Sequence, residues 1–381
     1  MKKSLIALAF GTLGLGIAEF AMMGILPHVA RDLGISIPVA GHLISAYALG
    51  VCVGAPMLVL ARRWPLKRIL LLLVALMLIG NLCASVSLDY YMLLFARFIS
   101  GLPHGAYFGV ASIVAGKLAD EGRGSQAVSI MVAGMTIANL FGVPLGTSLS
   151  HTLSWRITFL LVASWSVITF YYIYRWIPQV DGVEDTGFKG QFLFLRKPAP
   201  WLILCATALG NGGVFCWYSY VNPMLTQVSG FSADSMTALM VLAGFGMVVG
   251  NLVSGRMSDC YTPGKVGMWT QALIAVTLFL LFCFAQFSVV AALLMTVCTA
   301  ALFAVSTPEQ VLIIRVAPGG EMLGGACVQI AFNLGNAIGA YVGGLAVGSG
   351  YQYPALVGVP FACIGFVCFM VFYKKYQPYY R

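Results

Sequence analysis

The chain has 381 residues, of which 60% are hydrophobic and 9% are charged, and its mean hydropathy is +0.92. Soluble domains are about one-quarter charged, so this composition excludes a soluble globular protein and indicates a polytopic membrane protein. At about 20 apolar residues per crossing, the length allows roughly a dozen helices and leaves no room for a soluble domain.

The net charge of +9 follows the predicted membrane topology. Basic residues outside the predicted spans lie at the termini or in alternate loops, and only Arg31 and Arg156 lie on the opposite side. The positive-inside rule therefore places both termini in the cytoplasm and makes the number of helices even. The aromatic and basic interleaving of a strand-binding groove is absent, so we expect no nucleic-acid partner.

Twelve hydrophobic segments are predicted to cross the lipid bilayer. They are numbered helices 1 to 12 and cover residues 4–26, 38–60, 69–88, 90–116, 126–150, 156–177, 200–226, 234–257, 266–287, 289–314, 322–348 and 352–373. Helix 1 is too long for the apolar region of a signal peptide, and Glu19 interrupts it. We therefore expect an all-α membrane protein.

Helices 1 and 4 each carry an ionisable residue within the hydrocarbon, Glu19 and Arg97. Such residues are costly and commonly functional. Both lie roughly 10 to 12 Å from the outer end of their helix, so they occur at similar depth. A carboxylate is ionised beside an arginine and holds a proton when it is desolvated without one, so we assign proton coupling to Glu19 and Arg97. A permanent structural ion pair is the alternative.

Helix 5 contains a bend, Gly142-Val143-Pro144-Leu145-Gly146, in a stretch without full charges. Proline breaks the helical hydrogen-bond ladder, which is tolerated in a membrane only where neighbouring helices satisfy the freed groups. The small residues Gly134, Ala138, Gly142 and Gly146 recur every fourth position, so another helix can approach their face closely. We assign gating and packing to Gly142, Pro144 and Gly146.

The two halves of the chain repeat at an offset of about 196 residues. Pro27 corresponds to Pro223, and with a one-residue slip the small residues of helix 5 recur in helix 11 as 331, 335, 339 and 343. Abundant glycines explain single matches but not a constant offset. Parallel repeats of this kind are typical of transporters. We predict an N-terminal six-helix bundle at 1–178, a polar cytoplasmic linker at 179–199 and a C-terminal six-helix bundle at 200–381.

Helices 7 and 11 carry the candidate substrate-binding residues. Aromatic rings stack on sugar or drug rings, and amides supply orienting hydrogen bonds. The predicted contacts are Asn211, Phe215, Trp217, Tyr218 and Asn222 in helix 7 and Gln329 and Asn333 in helix 11. Hydrogen bonding between helices is the alternative role for the polar residues of helix 11.

Two further polar residues lie within predicted spans. Glu309 in helix 10 is either a second titrating site or a group that contacts Arg315 or the cytoplasmic vestibule, and we favour the second role. His104 lies two turns after Arg97 on the same face. It could extend a proton path, although a hydrogen-bonded core histidine is the simpler interpretation.

Metal and cofactor sites are not indicated. None of the ten cysteines forms a Cys-x-x-Cys pair, and the four histidines are scattered, so we expect no metal and no cofactor. A nucleotide-binding Gly-x-x-x-x-Gly-Lys loop and a cluster of catalytic side chains are also missing. The chain is therefore not expected to be an enzyme, and a passive scaffold would leave the buried charges unexplained.

Several segments together resemble the major facilitator superfamily, and within it the proton-coupled drug and sugar efflux branch (drug:H+ antiporter-1) of the arabinose efflux permease type. They are Gly16 to Phe20 with Leu26-Pro27, Gly54-Ala55-Pro56 with Arg63, Lys67 and Arg68, Arg97 to Gly101, the helix 5 bend, and Trp155-Arg156 with Phe159. The resemblance implies a cavity lined by helices 1, 4, 7 and 10. A proline in helix 5 without a counterpart in helix 11 is the pattern it associates with export.

The loop after helix 2 departs from the family pattern. An aspartate normally precedes the arginine there and helps to latch the outward-open state, but Ala61 precedes Arg62 and Arg63 in this chain. The equivalent loop after helix 8 keeps the acid as Asp259. We therefore assign gating to Arg63 and Asp259, with Asp259 as the expected single latch acid.

The resemblance implies a secondary active transporter, acting as a monomer in the bacterial cytoplasmic (inner) membrane. It would export a small neutral or amphipathic molecule, such as a sugar or drug, in exchange for protons by rocker-switch alternating access. A sugar uptake symporter or facilitator is the alternative within the same class. A membrane-embedded enzyme is the alternative from another class, and the missing catalytic cluster argues against it.

Overall fold

The computed structural model describes residues 2–142, 144–145 and 153–380. These residues form helices, turns and loops and contain no strand. Twelve of the helices are long and apolar enough to cross a membrane, which confirms the predicted number. In chain order α1 to α6 are Lys2–Asp32, Ile37–Met57, Leu66–Ser85, Tyr90–Lys117, Gly124–Ile137 and Trp155–Trp176. In the same order α7 to α12 are Pro198–Tyr218, Met236–Cys260, Pro263–Phe284, Ser288–Val316, Glu321–Ala346 and Tyr353–Lys375.

Short polar side chains define where several helices begin. Ser36 accepts a hydrogen bond from the Val39 backbone N–H at the start of α2, and Asp89 accepts one from Met92 at the start of α4. Ser154 does the same for Arg156 at the start of α6. These caps satisfy N–H groups that have no partner within the helix. A side-chain cap therefore marks the first turn of each of these three helices.

The small residues of α5 pack against α1. A side chain added at Gly134 would overlap the Ala9 carbonyl, and one at Gly142 would overlap Ile17. Thr12 on α1 also donates a hydrogen bond to the Met131 carbonyl of α5 at 2.6 Å. The close approach predicted from this stripe is confirmed for its described members, and Gly146 lies outside the described residues.

The end of α5 is irregular. The chain continues from Ile137 as a π-helical segment, Ala138–Gly142, which ends two residues before the proline of the predicted bend. Pro144 has no N–H to donate to the preceding turn, so a regular ladder cannot continue through it. The predicted irregularity in helix 5 therefore begins at Ala138, four residues earlier than Gly142.

The equivalent packing in the second half joins α11 to α7. Side chains added at Gly335, Gly339 or Gly343 would overlap the backbone of α7 at Ala208, Gly212 and Cys216 respectively. Close helix approach through small residues thus occurs in both repeats, as the sequence offset predicted. The second half differs in that α7 itself is irregular, with a π-helical segment at Ala206–Gly210.

The described residues fall into two compact units. The first comprises Met1–Leu193 with Pro318–Ile330, and the second comprises Phe194–Ala317 with Ala331–Arg381. The beginning of α11 groups with the first unit because Gly109 on α4 lets the backbone near Met322 approach closely. The boundaries at residues 178 and 199 stay a prediction.

Candidate functional site

A buried polar cluster lies within the first unit. It comprises Glu19 on α1, Tyr47 on α2, and Arg97 and His104 on α4. Glu19 is 5% exposed, Tyr47 2%, and both Arg97 and His104 0%. Charged side chains are rarely buried without partners, so the contacts of each group decide what this cluster can do.

Arg97 is held in place by backbone carbonyls and aromatic rings. Its Nη1 donates to the Ala18 carbonyl of α1 at 2.6 Å, and its Nε donates to the Leu43 carbonyl of α2 at 3.3 Å. The guanidinium carbon lies 4.4 Å from the centre of the Tyr47 ring and 5.7 Å from that of Phe159. Hydrogen bonds and cation–π contacts of this kind stabilise a desolvated guanidinium. Arg97 is therefore a fixed positive charge that connects α4 to α1, α2 and α6.

Glu19 lies closest to His104 among the basic side chains of the cluster. Its Oε2 is 3.7 Å from His104 Nε2, whereas the ion pairs among described residues do not include Glu19 with Arg97. Arg97 still acts on Glu19 through its charge. Glu19 and Arg97, the two predicted coupling residues, thus lie in one cluster. His104 is the basic side chain nearest to the Glu19 carboxylate. Their role in coupling stays a prediction.

His104 extends the cluster in two directions. Its Nδ1 forms a 2.8 Å hydrogen bond with the Tyr47 hydroxyl, which also contacts the Leu15 carbonyl at 3.4 Å. On another side it contacts Gln329, a predicted substrate residue that is 8% exposed. The sequence signal for His104 was its position two turns after Arg97 on one helix face. A buried hydrogen-bonded histidine and a proton-path histidine have the same spacing, so the structure agrees with the core interpretation and a role in a proton path stays a prediction.

The predicted substrate residues of helix 7 separate into two groups. Asn211 and Trp217 are fully buried, and Trp217 donates its indole N–H to the Met224 sulfur at 2.9 Å. Phe215 is also buried and packs edge-on against Phe332 at 5.3 Å. Tyr218 is half-buried.

The remaining predicted substrate residues are more accessible. Asn222 is exposed and follows the end of the long helix at Tyr218, because the chain turns at Ser219 and Tyr220. Asn333 on α11 is half-buried. The accessible members of the predicted set are therefore Tyr218, Asn222 and Asn333, and substrate contact stays a prediction for the whole set.

A second buried carboxylate lies within the second unit. Glu309 on α10 is 1% exposed, and the Asn211 amide nitrogen lies 3.2 Å from each of its oxygens. The expected partner Arg315 instead donates to the Tyr380 carbonyl at 3.4 Å and interacts electrostatically with Asp259. The interpretation of Glu309 as a partner of Arg315 is therefore wrong, since its hydrogen-bond partners are neutral.

The linker supplies the acid that the loop after α2 lacks. Asp185 accepts hydrogen bonds from Arg62 Nε at 2.9 Å and from Arg63 Nε at 2.6 Å. The Arg63 guanidinium, the Gly187 backbone N–H and Arg62 lower the pKa of Asp185 below its usual value. The neighbouring Thr186 donates to the Gly319 carbonyl at 2.8 Å. Arg63 therefore has an acidic partner of its own, and the gating roles of Arg63 and Asp259 stay predictions.

Two features of the twelve membrane helices are typical of membrane transporters. Each half contains a buried carboxylate, and each half packs one helix closely against another through small residues. The sequence matches the family model described as Major Facilitator Superfamily over residues 8–322 and 219–380. The chain belongs to the major facilitator superfamily, and it is therefore a multi-pass protein of the bacterial inner membrane.

Curated relatives agree with this assignment. The chain is 48% identical to the putative transporter AraJ of Escherichia coli K12, over 99% of this chain and 96% of that protein. It is 25% identical to a probable sugar efflux transporter of Helicobacter acinonychis, over 93% of this chain and 90% of that protein.

The fold is shared with solved transporters. The structure of the proton:xylose symporter XylE, bound to 6-bromo-6-deoxy-D-glucose, matches with a TM-score of 0.75. The match covers 98% of this chain and 95% of that one at 13% identity. At this identity the likeness concerns the fold, which is that of major facilitator transporters rather than of an enzyme.

Proposed function

We propose that this protein exports a small neutral or amphipathic molecule, such as a sugar or drug, in exchange for protons. The observation that carries the proposal is the contact between the buried Glu19 carboxylate and His104, beside the fixed charge of Arg97. A carboxylate in such a place changes its interactions strongly when it gains or loses a proton. Glu19 is the group that titrates in this proposal, and Arg97 sets its electrostatic environment.

The geometry supports distinct roles for the two basic side chains. Arg97 is committed to two backbone carbonyls and two rings, so it favours the ionised form of Glu19 by charge without leaving its position. His104 is oriented by the bond of its Nδ1 to Tyr47, and its Nε2 lies 3.7 Å from Glu19 Oε2, so proton exchange between the two side chains requires them to approach to hydrogen-bond distance. Rocking of the two halves would expose Glu19 to opposite sides of the membrane in turn. Protons would then enter in exchange for the exported cargo.

The proposed class of cargo is based on the accessible side chains and on the name of one similar protein. Tyr218, Asn222 and Asn333 offer an aromatic face and two amides without a full charge, which suits a neutral solute. A similar protein carries the name of a sugar efflux transporter. Export is also the direction that the family resemblance associates with a proline in helix 5 and none in helix 11.

The test starts by finding a cargo. Thermal unfolding of the purified protein is measured with a panel of sugars, nucleosides, antibiotics and dyes, because a ligand that binds the folded state raises its stability. The protein is then reconstituted into liposomes loaded with the compound that binds best, and the movement of this compound is followed after a pH difference is imposed. We expect accumulation against the concentration gradient on the more acidic side.

The Glu19→Gln variant tests the coupling site, with Glu121→Gln as the matched control at an exposed position. We expect Glu19→Gln to keep counterflow of the cargo but to lose accumulation driven by the pH difference, and Glu121→Gln to behave as wild type. Accumulation by Glu19→Gln at the wild-type level would refute the coupling role. Accumulation on the more alkaline side would identify a symporter instead.

A further inference from the structure

The surroundings of Glu309 form a site made of neutral polar groups. Its two oxygens both lie 3.2 Å from the amide nitrogen of Asn211, and the carboxyl group also contacts the hydroxyl of Thr207, whose proton is donated to the Ile203 carbonyl at 2.9 Å. Both partners are fully buried and belong to α7, so the site joins α7 to α10. Hydrogen bonds from neutral donors support a carboxylate in either protonation state, but they do not neutralise its charge.

Asn211 is held in turn by Gln271 on α9. The Gln271 Nε2 donates to Asn211 Oδ1 at 3.2 Å, which orients the Asn211 amide nitrogen toward Glu309. Gln271 is fully buried, and its Oε1 has no hydrogen-bond partner among the described residues. Gly210 makes this contact possible, because a side chain there would overlap Gln271. The site is thus built from three helices and retains a free acceptor oxygen.

The backbone of α7 is irregular at this position. The π-helical segment Ala206–Gly210 contains Thr207 and ends immediately before Asn211. Such segments weaken the regular hydrogen-bond ladder and occur frequently at functional sites. A helix that served only to pack against its neighbours would not need this irregularity beside two side chains that bind one carboxylate.

The charged side chains on the helices packed around Glu309 contact other groups or are exposed. They are Arg256 and Asp259 on α8, Lys265 on α9 and Arg315 on α10 itself. Lys265 lies 4.7 Å from the centre of the Trp269 ring, Arg315 interacts with Asp259, and Arg256 is exposed. The ionisable thiols and phenol of these helices, such as Cys216, Cys298 and Tyr218, are neutral at pH 7. Glu309 therefore has no cationic side chain as a partner among the described residues.

We propose that Glu309 is a second proton-binding site, located in the second unit and separate from Glu19. A fully buried carboxylate needs a neutralising cation, and the described protein groups supply none. A proton meets this need. Asn211 donates to the carboxyl group, and the Thr207 hydroxyl oxygen, whose own proton goes to the Ile203 carbonyl, is available to accept from the protonated form. The proposal does not depend on the role of Glu19, since it concerns proton binding by a different group.

Infrared difference spectroscopy of the purified protein tests the proposal directly. A protonated carboxyl group has its own carbonyl stretching band, so a pH change reveals each carboxyl group that titrates. Wild type, Glu309→Gln, Glu19→Gln and the exposed control Glu121→Gln are compared, each first checked for wild-type thermal unfolding. We expect Glu309→Gln to lose one titrating band that Glu19→Gln and Glu121→Gln retain.

A second variant and a chemical probe keep the test independent of one substitution. Asn211→Leu removes the amide that contacts both oxygens, so we expect the frequency of the Glu309 band to shift. Dicyclohexylcarbodiimide adds to protonated carboxyl groups in apolar surroundings, and peptide mass spectrometry of the wild-type protein should locate the adduct on Glu309. Labelling should decrease at alkaline pH.

Two results would overturn the proposal. Identical pH difference spectra for wild type and Glu309→Gln would mean that Glu309 keeps one protonation state and serves as a structural hydrogen-bonding group. Loss of the Glu309 band on adding Na+ at constant pH, but not choline, would identify a metal-cation site instead. Neither result bears on Glu19, whose coupling is tested separately by transport.

Discussion

Arg97 offers a quantitative test of the buried cluster in the first unit. The variant Arg97→Met keeps much of the side-chain volume but removes the hydrogen bonds to the Ala18 and Leu43 carbonyls and the contacts with two rings. Hydrogen bonds from a charged donor contribute about 1.5–3 kcal/mol each, and a desolvated cation–π contact about 2 kcal/mol. Because methionine packing recovers part of this, we expect a loss of about 3–5 kcal/mol in the free energy of unfolding.

Part of that loss should depend on Glu19. Without Arg97 the buried carboxylate loses its nearest fixed positive charge, so Glu19→Gln should be less damaging in the Arg97→Met background than in wild type. Contacting buried residues couple by about 0.5–3 kcal/mol. Chemical or thermal unfolding of the two single variants and the double variant in one detergent measures this coupling.

Arg156→Met is the matched control for the Arg97 substitution. Arg156 pairs with Asp32 at 2.6 Å, donates to the Ser87 carbonyl from Nε and Nη2, and lies 4.3 Å from the centre of the Trp155 ring. Its side chain is 30% exposed and that of Asp32 46%, so water competes for these contacts and we expect a smaller loss than for Arg97→Met, about 1–2 kcal/mol. Equal losses for Arg97→Met and Arg156→Met, or strictly additive effects of Glu19→Gln and Arg97→Met, would refute the electrostatic account of the cluster.

Three further predictions concern packing, pH and the bend. Gly335→Leu should cost about 1–3 kcal/mol of unfolding free energy, because its side chain meets the α7 backbone, whereas Gly348→Leu, with open space around it, should unfold like wild type. The contact of Asp185 with Arg63 stabilises the folded state above the usual pKa of an aspartate and is lost as the pH falls through its lowered folded-state pKa; unfolding curves of Asp185→Asn should therefore differ from wild type at neutral pH and converge with it in strong acid. Pro144→Ala should reduce proton-driven export in liposomes, and full export by this variant would contradict the role assigned to the bend.

The sequence determined the twelve helices and their closest packing surfaces. In hydrocarbon each backbone polar group must be satisfied within the segment, so long apolar stretches can only become helices. Small residues occur at every fourth position of helices 5 and 11, and this spacing predicted that another helix approaches each of them closely. Two helix backbones can come into contact only where the side chains between them are small. These are local properties that can be recognised from spacing alone.

The placement of buried charges was predictable only in part. Glu19, Arg97 and Glu309 stand out in any hydropathy pattern because ionisable residues in membrane helices are rare. The sequence did not reveal which neutral groups contact them. Asparagine, threonine and glutamine occur throughout membrane helices, so Thr207 and Gln271 carried no distinguishing signal.

Pairings between distant segments were decided by the tertiary structure. The acid missing after helix 2 is provided by Asp185, which lies 122 residues after Arg63, and Glu19 contacts His104 rather than forming a close ion pair with Arg97. Asn211, whose contact with substrate stays a prediction, donates to both oxygens of Glu309. Helix periodicity determines which residues share a face, but the rotation and depth of each packed helix determine which polar atoms meet, and a hydrogen bond requires those atoms to agree to within a few tenths of an ångström.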